Sequence, residues 1–146
     1  LNKAVLEFSS RPENVAFARV AVAALAAQLD FTLSDLDEIK VAVSEAVTNA
    51  IIHGYENQPD RIVRVEIKIA EEYIGIEVID HGKGIKDINK ALEPAYSTDP
   101  ERMGLGFAFM QSFMEKFEVS SIPGKGTRVK MGRRAGTPGR QAVPEQ

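Results

Sequence analysis

Cysteine is absent from this chain of 146 residues, and histidine occurs twice, at His53 and His81. No disulfide can form, no thiolate can bind a metal, and two histidines are too few for a structural zinc site. A metal, if one is used, is expected to be a hard cation held by oxygen, such as magnesium. Long apolar runs are missing too. No stretch reaches the roughly 20 residues that a membrane-spanning helix needs, and the opening "LNKAVLEFSS" lacks the charged-then-apolar order of a secretory signal. The chain is therefore expected to be cytoplasmic, with no membrane partner. Internal repeats and low-complexity blocks are absent as well.

What is present, 44% hydrophobic and 27% charged residues, fits one globular domain around a single core. The net charge of −3 hides an asymmetry, because residues 125–146 hold 6 of the 18 basic side chains and 1 of the 21 acidic ones. A basic tail can attract nucleic acid, but "RRAGTPGRQAVPEQ" offers no aromatic ring for a base to stack on and is rich in Pro and Gly. The expected organisation is a folded domain over 1–132 and a disordered, solvated tail over 133–146, with no direct nucleic-acid partner.

Alternation at "KAVLEF" places Ala4, Leu6 and Phe8 on one face of a short strand. Ser10 and Glu13 have capping-box spacing ahead of a helix that carries Val15, Ala18, Val22, Leu25 and Leu29. A second helix is expected from Thr32, with an acidic first turn and a buried stripe of Leu36, Ile39, Val43, Ala46, Val47 and Ala50 that Gly54 would close. "RIVRVEIKIA" and "YIGIEVID" alternate as strands of a hairpin, and Asp80 shares the parity of Ile74, Ile76 and Val78. That parity aims a carboxylate at the helix-covered face, where it needs a partner. Residues 86–103 read as a loop or lid, "GLGFAFMQSFMEKF" as a third helix, and "EVSSIPGKGTRVKM" as a closing hairpin with Thr127, Val129 and Met131 on one face. The sum is a two-layer α/β (α+β) arrangement, about three helices on a mixed, mainly antiparallel sheet of about five strands.

Several features of this frame carry chemistry. Glu45, Asn49 and His53 recur every four residues and form one polar stripe at the border of the second helix's apolar face. A strand ends in "DHGKG", and "GLG" opens a helix. Singly each is weak: a helix-flank glutamate is commonly just solvated, a histidine at a helix end can simply offset the dipole, and glycines mark ordinary turns. The P-loop pattern G-x-x-x-x-G-K-[ST] is missing, and "GLGFAF" does not follow a strand as a dinucleotide fingerprint would. Joined in order, the motifs converge on ATP. A buried carboxylate accepts from the adenine amino group, glycines admit backbone to a ligand, and an Asn oxygen is a neutral ligand for magnesium.

This order of motifs resembles the GHKL ATP-binding superfamily of gyrase, heat-shock chaperones, histidine kinases and mismatch-repair ATPases. Within it the chain is similar to the anti-sigma-factor serine kinases of spore-forming bacteria. "VSEAVTNAIIHGY" matches that family's N box, "VIDHGKGI" its first glycine box and "ERMGLGF" its second, and the resemblance runs from about Val5 to Met131. It implies ATP and Mg2+ as cofactors, with Asn49 as the magnesium ligand, His53 beside it in the N box, and Asp80 as the adenine carboxylate. It further implies Gly82 and Gly84 as the turn beneath the base, Gly104, Leu105 and Gly106 as the phosphate-side helix start, and Thr127 at the adenine edge. Glu45 would be the general base. Ser97, Thr98 and Arg102 would serve the lid, although Asp99 stands where the family carries a basic residue. The implied activity is a protein serine kinase that sequesters a sporulation sigma factor and phosphorylates its anti-anti-sigma antagonist, as a homodimer. A general-stress anti-sigma kinase, a detached histidine-kinase catalytic domain and a sequestering module without turnover share these motifs.

Overall fold

A computed structural model describes residues 1–93 and 103–136. Strand β1 (Asn2–Ser9) leads into helices α1 (Asn14–Ala26) and α2 (Leu33–Asn49), and α2 continues without a break into a π-helical turn, Ala50–Gly54. Strands β2 (Ile62–Ala70) and β3 (Tyr73–Asp80), the short helix α3 (Ile88–Ala91), helix α4 (Met103–Phe113) and strands β4 (Lys116–Ile122) and β5 (Gly126–Arg134) complete the order. The strands form one sheet in the order β1-β2-β3-β5-β4, with every neighbouring pair antiparallel. The two-layer fold expected from the sequence is the one observed.

Period-two alternation builds the sheet side of the core. Val63, Val65 and Ile67 on β2, Ile74, Ile76 and Val78 on β3, and Val129 and Met131 on β5 are buried against Ala18, Val22, Ile39, Val43 and Val47 of the helices. Each such aliphatic side chain contributes about 1.5–3 kcal/mol relative to exposure. The opposite face carries charge. Arg64 reaches Glu7 at 2.9 Å and Glu66 at 2.7 Å, and Arg128 pairs with Glu77 across β3 and β5. Among the described residues no helix is long and apolar enough to cross a membrane.

Helix α2 starts as expected. The Thr32 hydroxyl accepts from the Asp35 N–H at 3.0 Å, and the Asp35 carboxylate accepts from the Thr32 N–H at 2.9 Å, which is a complete capping box. The Ser10–Glu13 box is not formed. Ser10 is buried and donates to the Gln58 carbonyl at 2.5 Å while accepting from the Arg61 N–H at 3.1 Å, so its hydroxyl ties β1 to the segment before β2. Helix α1 begins after Glu13 without a side-chain cap and stops at Ala26, short of Leu29. Gly54 does end the second helix, but as the last residue of the π turn, where the Tyr55 N–H donates to the Ala50 carbonyl at 2.9 Å.

Three further expectations are corrected. The segment read as a lid contains α3, capped by the Asp87 side chain on the Lys90 N–H; four residues are too few to show a period. Phe117 belongs to β4, paired with Met131, and its spacing of four from Phe113 only mimics a helix. The folded domain passes residue 132. Strand β5 runs to Arg134, and Arg133, on the inward parity of Val129 and Met131, is among the most buried side chains. Its guanidinium donates to Asp35 at 2.7 Å, to Glu38 at 2.9 Å and to the Phe113 carbonyl at 2.8 Å, joining β5 to α2 and α4. Residues 137–146 lie outside the described residues.

Candidate functional site

A cavity of about 470 Å³ opens between α2, α4 and the ends of β3 and β5. Ala46, Val78, Met103, Phe107 and Val129 make it largely apolar, and Asn49, His53, Asp80 and Thr127 supply polar atoms. A cavity of this size and mixed lining is typical of a small-molecule site.

Asp80 ends β3 opposite Thr127 on β5 and is only 6% exposed. Burial raises its carboxyl from 3.8 to about 6, opposed by backbone hydrogen bonds from Gly82 and Thr127 and by the charge of His81. The Gly82 N–H donates to Oδ1 at 2.9 Å. The carboxylate also lies directly on Gly54: a Cβ there would come within 2.7 Å of it. The polar end of the N box and the polar end of β3 are thus one contact.

Gly82 and Gly84 make the turn that follows. A Cβ on Gly82 would stand 1.9 Å from the Gly54 carbonyl oxygen, and Gly84 has φ +76 with the Ile122 carbonyl 2.4 Å from where its Cβ would be. Both positions therefore demand glycine. The residue between them, Lys83, donates its N–H to the Gly54 carbonyl at 2.9 Å, which pins the turn to the end of the π helix.

Asn49 projects from the last turn of α2, is 9% exposed, and its Nδ2 has no hydrogen-bond partner. A buried amide left this way costs about 1–3 kcal/mol, so the fold holds a donor ready for something. Glu45, one turn earlier and half-buried, lies beside Asn49 where α4 crosses. A Cβ on Gly106 would be 2.8 Å from Glu45 Oε1 and 3.5 Å from the Asn49 side-chain amide. Glu45 borders the cavity's Asn49 end without being part of its lining. His53 is buried in the π turn and does line it.

Gly104 and Gly106 lie in the first turn of α4, both buried. Gly104 faces the Glu93 carbonyl, 2.4 Å from a would-be Cβ, and Gly106 faces Glu45. The first N–H groups of a helix have no intrahelical partner, so this end of α4 is suited to an anion. Leu105 is half-buried and outside the cavity lining. Ser97, Thr98 and Arg102 lie outside the described residues.

Four residues escaped the sequence reading. Lys83 and Lys86 are cations in the cavity lining, Lys86 close after the glycine turn. Tyr55 donates to the Ile62 carbonyl at 2.6 Å and accepts from the His81 N–H at 2.8 Å, fastening the end of α2 to the end of β3; its position right after Gly54 was the available signal. Ser121, on β4 opposite Thr127, contacts the Thr127 hydroxyl at 2.9 Å.

Comparison with known proteins agrees with this geometry. The family described as the histidine kinase-like ATPase domain matches residues 8–133. The chain belongs to the histidine kinase-like ATPase family. Within it, the chain is 54% identical over 132 residues to an anti-sigma F factor of Clostridium botulinum, covering 89% of this chain and 92% of that one. It is 52% identical over 138 residues to an anti-sigma F factor of a Thermoanaerobacter species, covering 93% and 96%. Among solved structures, the RsbU and RsbW domains of a Mycobacterium tuberculosis protein align with TM-score 0.63 at 20% identity, covering 92% of this chain and 33% of that one. A blue-light activated histidine kinase of Erythrobacter litoralis aligns with TM-score 0.58 at 20% identity, covering 76% and 34%. At that identity the two structures speak for the fold alone.

The site fits the ATP that family membership implies. A buried acceptor stands at one end, an unsatisfied amide and a helix start at the other, and apolar walls lie between. For a divalent cation the donors are fewer. Among the described residues no group of three His, Cys, Asp or Glu could hold a metal, so a magnesium ion here would depend on Asn49 and on phosphate and water oxygens.

Proposed function

We propose that this protein is a cytoplasmic anti-sigma factor and ATP-dependent serine kinase of the sporulation type. It sequesters a sigma factor and, as a homodimer, phosphorylates a serine on that factor's antagonist and so inactivates it. The carrying observation is the single cavity that joins Asn49, Asp80 and Thr127, in a chain 54% identical to a protein named for anti-sigma activity.

ATP, when bound, supplies an activated phosphoryl group, and magnesium neutralises its charge. The chain's own residues do the rest. Asp80 accepts from the adenine amino group, Thr127 borders the same edge, and Gly82 and Gly84 bring backbone beneath the ring. Asn49 offers its carbonyl oxygen to the cation, and the start of α4 at Gly104 and Gly106 faces the phosphates with N–H groups. Glu45 takes the proton of the incoming serine hydroxyl. Catalysis of this kind is mostly positioning and charge stabilisation.

Two substitutions separate the roles. Glu45→Ala should bind magnesium-ATP and sigma factor as the parent does, yet transfer phosphate ~10²–10⁴-fold more slowly. Asn49→Ala should lose nucleotide binding and transfer together. Single-turnover phosphorylation of the purified antagonist, beside calorimetry, reads both. Parental transfer by Glu45→Ala would remove the general base, and a parent that transfers nothing to its authentic antagonist would leave a sequestering module.

A further inference from the structure

We infer that Ser121 is a positioning residue that fixes the direction of the Thr127 hydroxyl and thereby selects a 6-amino over a 6-oxo purine; this rests on the nucleotide reading above. Ser121 is the β4 partner of Thr127. Its Oγ lies 2.7 Å from the Ile85 N–H, 3.0 Å from the Gly126 carbonyl oxygen and 2.9 Å from Thr127 Oγ1. A serine hydroxyl has one proton and two acceptor positions. The Ile85 N–H can only donate, so it takes one acceptor position. The Gly126 carbonyl can only accept, so it takes the proton. What remains on Ser121 is an acceptor, and the contact with Thr127 is then satisfied by the Thr127 proton.

The consequence reaches the cavity that Thr127 and Asp80 line. With its proton turned back toward Ser121, Thr127 presents lone pairs, next to the lone pairs of the Asp80 carboxylate. Two adjacent acceptors suit an exocyclic amino group, which carries two N–H bonds, and oppose an exocyclic carbonyl. The Ile85 contact adds a link to the glycine turn, because Ile85 directly follows Gly84 and also lines the cavity.

The test is the ratio of affinities for ATP and inosine triphosphate, whose bases differ at carbon 6, amino against carbonyl, and in the proton that the carbonyl form carries at N1, measured by calorimetry. Removing the hydroxyl in Ser121→Ala frees the Thr127 proton to point at the ligand. The ratio should then fall about tenfold, the equivalent of one hydrogen bond, with inosine triphosphate gaining while ATP weakens. Ser121→Thr keeps a hydroxyl and should restore the parental ratio. If Ser121 only stiffened the hairpin, both nucleotides would weaken equally and the ratio would stay constant, which would overturn the inference. A parent that binds neither triphosphate removes the nucleotide reading and this inference with it. A parent selective for ATP whose selectivity survives in Ser121→Ala removes this inference alone.

Discussion

Among the described residues, two of the regions that bury charged or polar side chains are built in opposite ways. Around Arg133 every partner comes from the chain: the guanidinium meets Asp35, Glu38 and the Phe113 carbonyl, with the Phe31 ring 6.0 Å from its centre. The cluster is closed. Around Asp80 the carboxylate is held by backbone N–H groups and raised by burial, and across the cavity the Asn49 amide lacks a partner. A buried charge whose needs are met inside the fold acts as a structural fastener. A buried polar group left short marks where a ligand completes the structure, and the chain carries the energetic cost until it arrives.

The contrast breaks most visibly at Arg133. Arg133→Ala would take the guanidinium away from two carboxylates, one of them the buried Asp35 of the α2 capping box, and removing one partner of a buried pair costs about 3–5 kcal/mol. Truncation after Gly132 should do at least as much damage. Urea denaturation of both variants checks this, and a loss below about 1 kcal/mol would mean that Asp35 and Glu38 are satisfied without the arginine.

At Asp80 the sign should reverse. The folded chain holds this proton up to about pH 6, whereas the unfolded chain releases it near the ordinary value of 3.8. Stability from this group is therefore fullest below about pH 4 and is lost as pH rises through 6. Asp80→Asn, which has no charge to bury, should make the ligand-free protein more stable at pH 7 by about 1–3 kcal/mol. The gain over the parent should vanish toward pH 4. The same variant should bind ATP about 5- to 150-fold more weakly, because an amide donor now faces the adenine amino group. Melting curves from pH 4 to 8, paired with calorimetry, decide it. A variant less stable than the parent at pH 7 would show that the carboxylate is structural and would erase the distinction between the two regions.

How far the sequence carried this picture also differs between the regions. Asp80 was legible because strand parity is strict: Ile74, Ile76 and Val78 point inward, so Asp80 does. Thr32 was legible as a cap because its box is local. Arg133 obeys the same parity as Val129 and Met131, yet the six basic residues from Lys125 onward made the end of the chain read as solvated tail. Composition outweighed period there, and its carboxylate partners stand nearly a hundred residues away, beyond any local pattern. Ser10 was misread for the same reason, since its partners Gln58 and Arg61 are distant and a capping motif nearby offered a cheaper explanation. Ser121 gave no signal alone, because its meaning depends on a hydroxyl across the strand pair and an N–H after the glycine turn.

The smallest expected effect lies away from both regions and serves to isolate them. The β2–β3 hairpin turns through Glu71 and Glu72, which have φ 51 and φ 65, between the paired residues Ala70 and Tyr73. Two central residues at positive φ are the geometry of a primed two-residue turn, for which Asn-Gly is favoured and glutamate is strained. The contacts made there use backbone carbonyls: Glu72 accepts from the Ala135 N–H at 2.7 Å and Glu71 from the Arg134 side chain at 3.3 Å. Both contacts would survive a change of side chain. Glu71→Asn with Glu72→Gly should therefore relieve strain and stabilise the chain by about 1 kcal/mol, the added flexibility of glycine in the unfolded state offsetting part of the gain. The turn joins the start of β3, whereas Asp80 ends it roughly 24 Å away at about 3.4 Å per residue. ATP affinity should accordingly remain within about twofold of the parent while the urea midpoint rises. An unchanged midpoint would mean the turn is unstrained, and a larger change in affinity would mean that β3 transmits strain along its length, so that the site and the frame are not separable in the way their buried charges suggest.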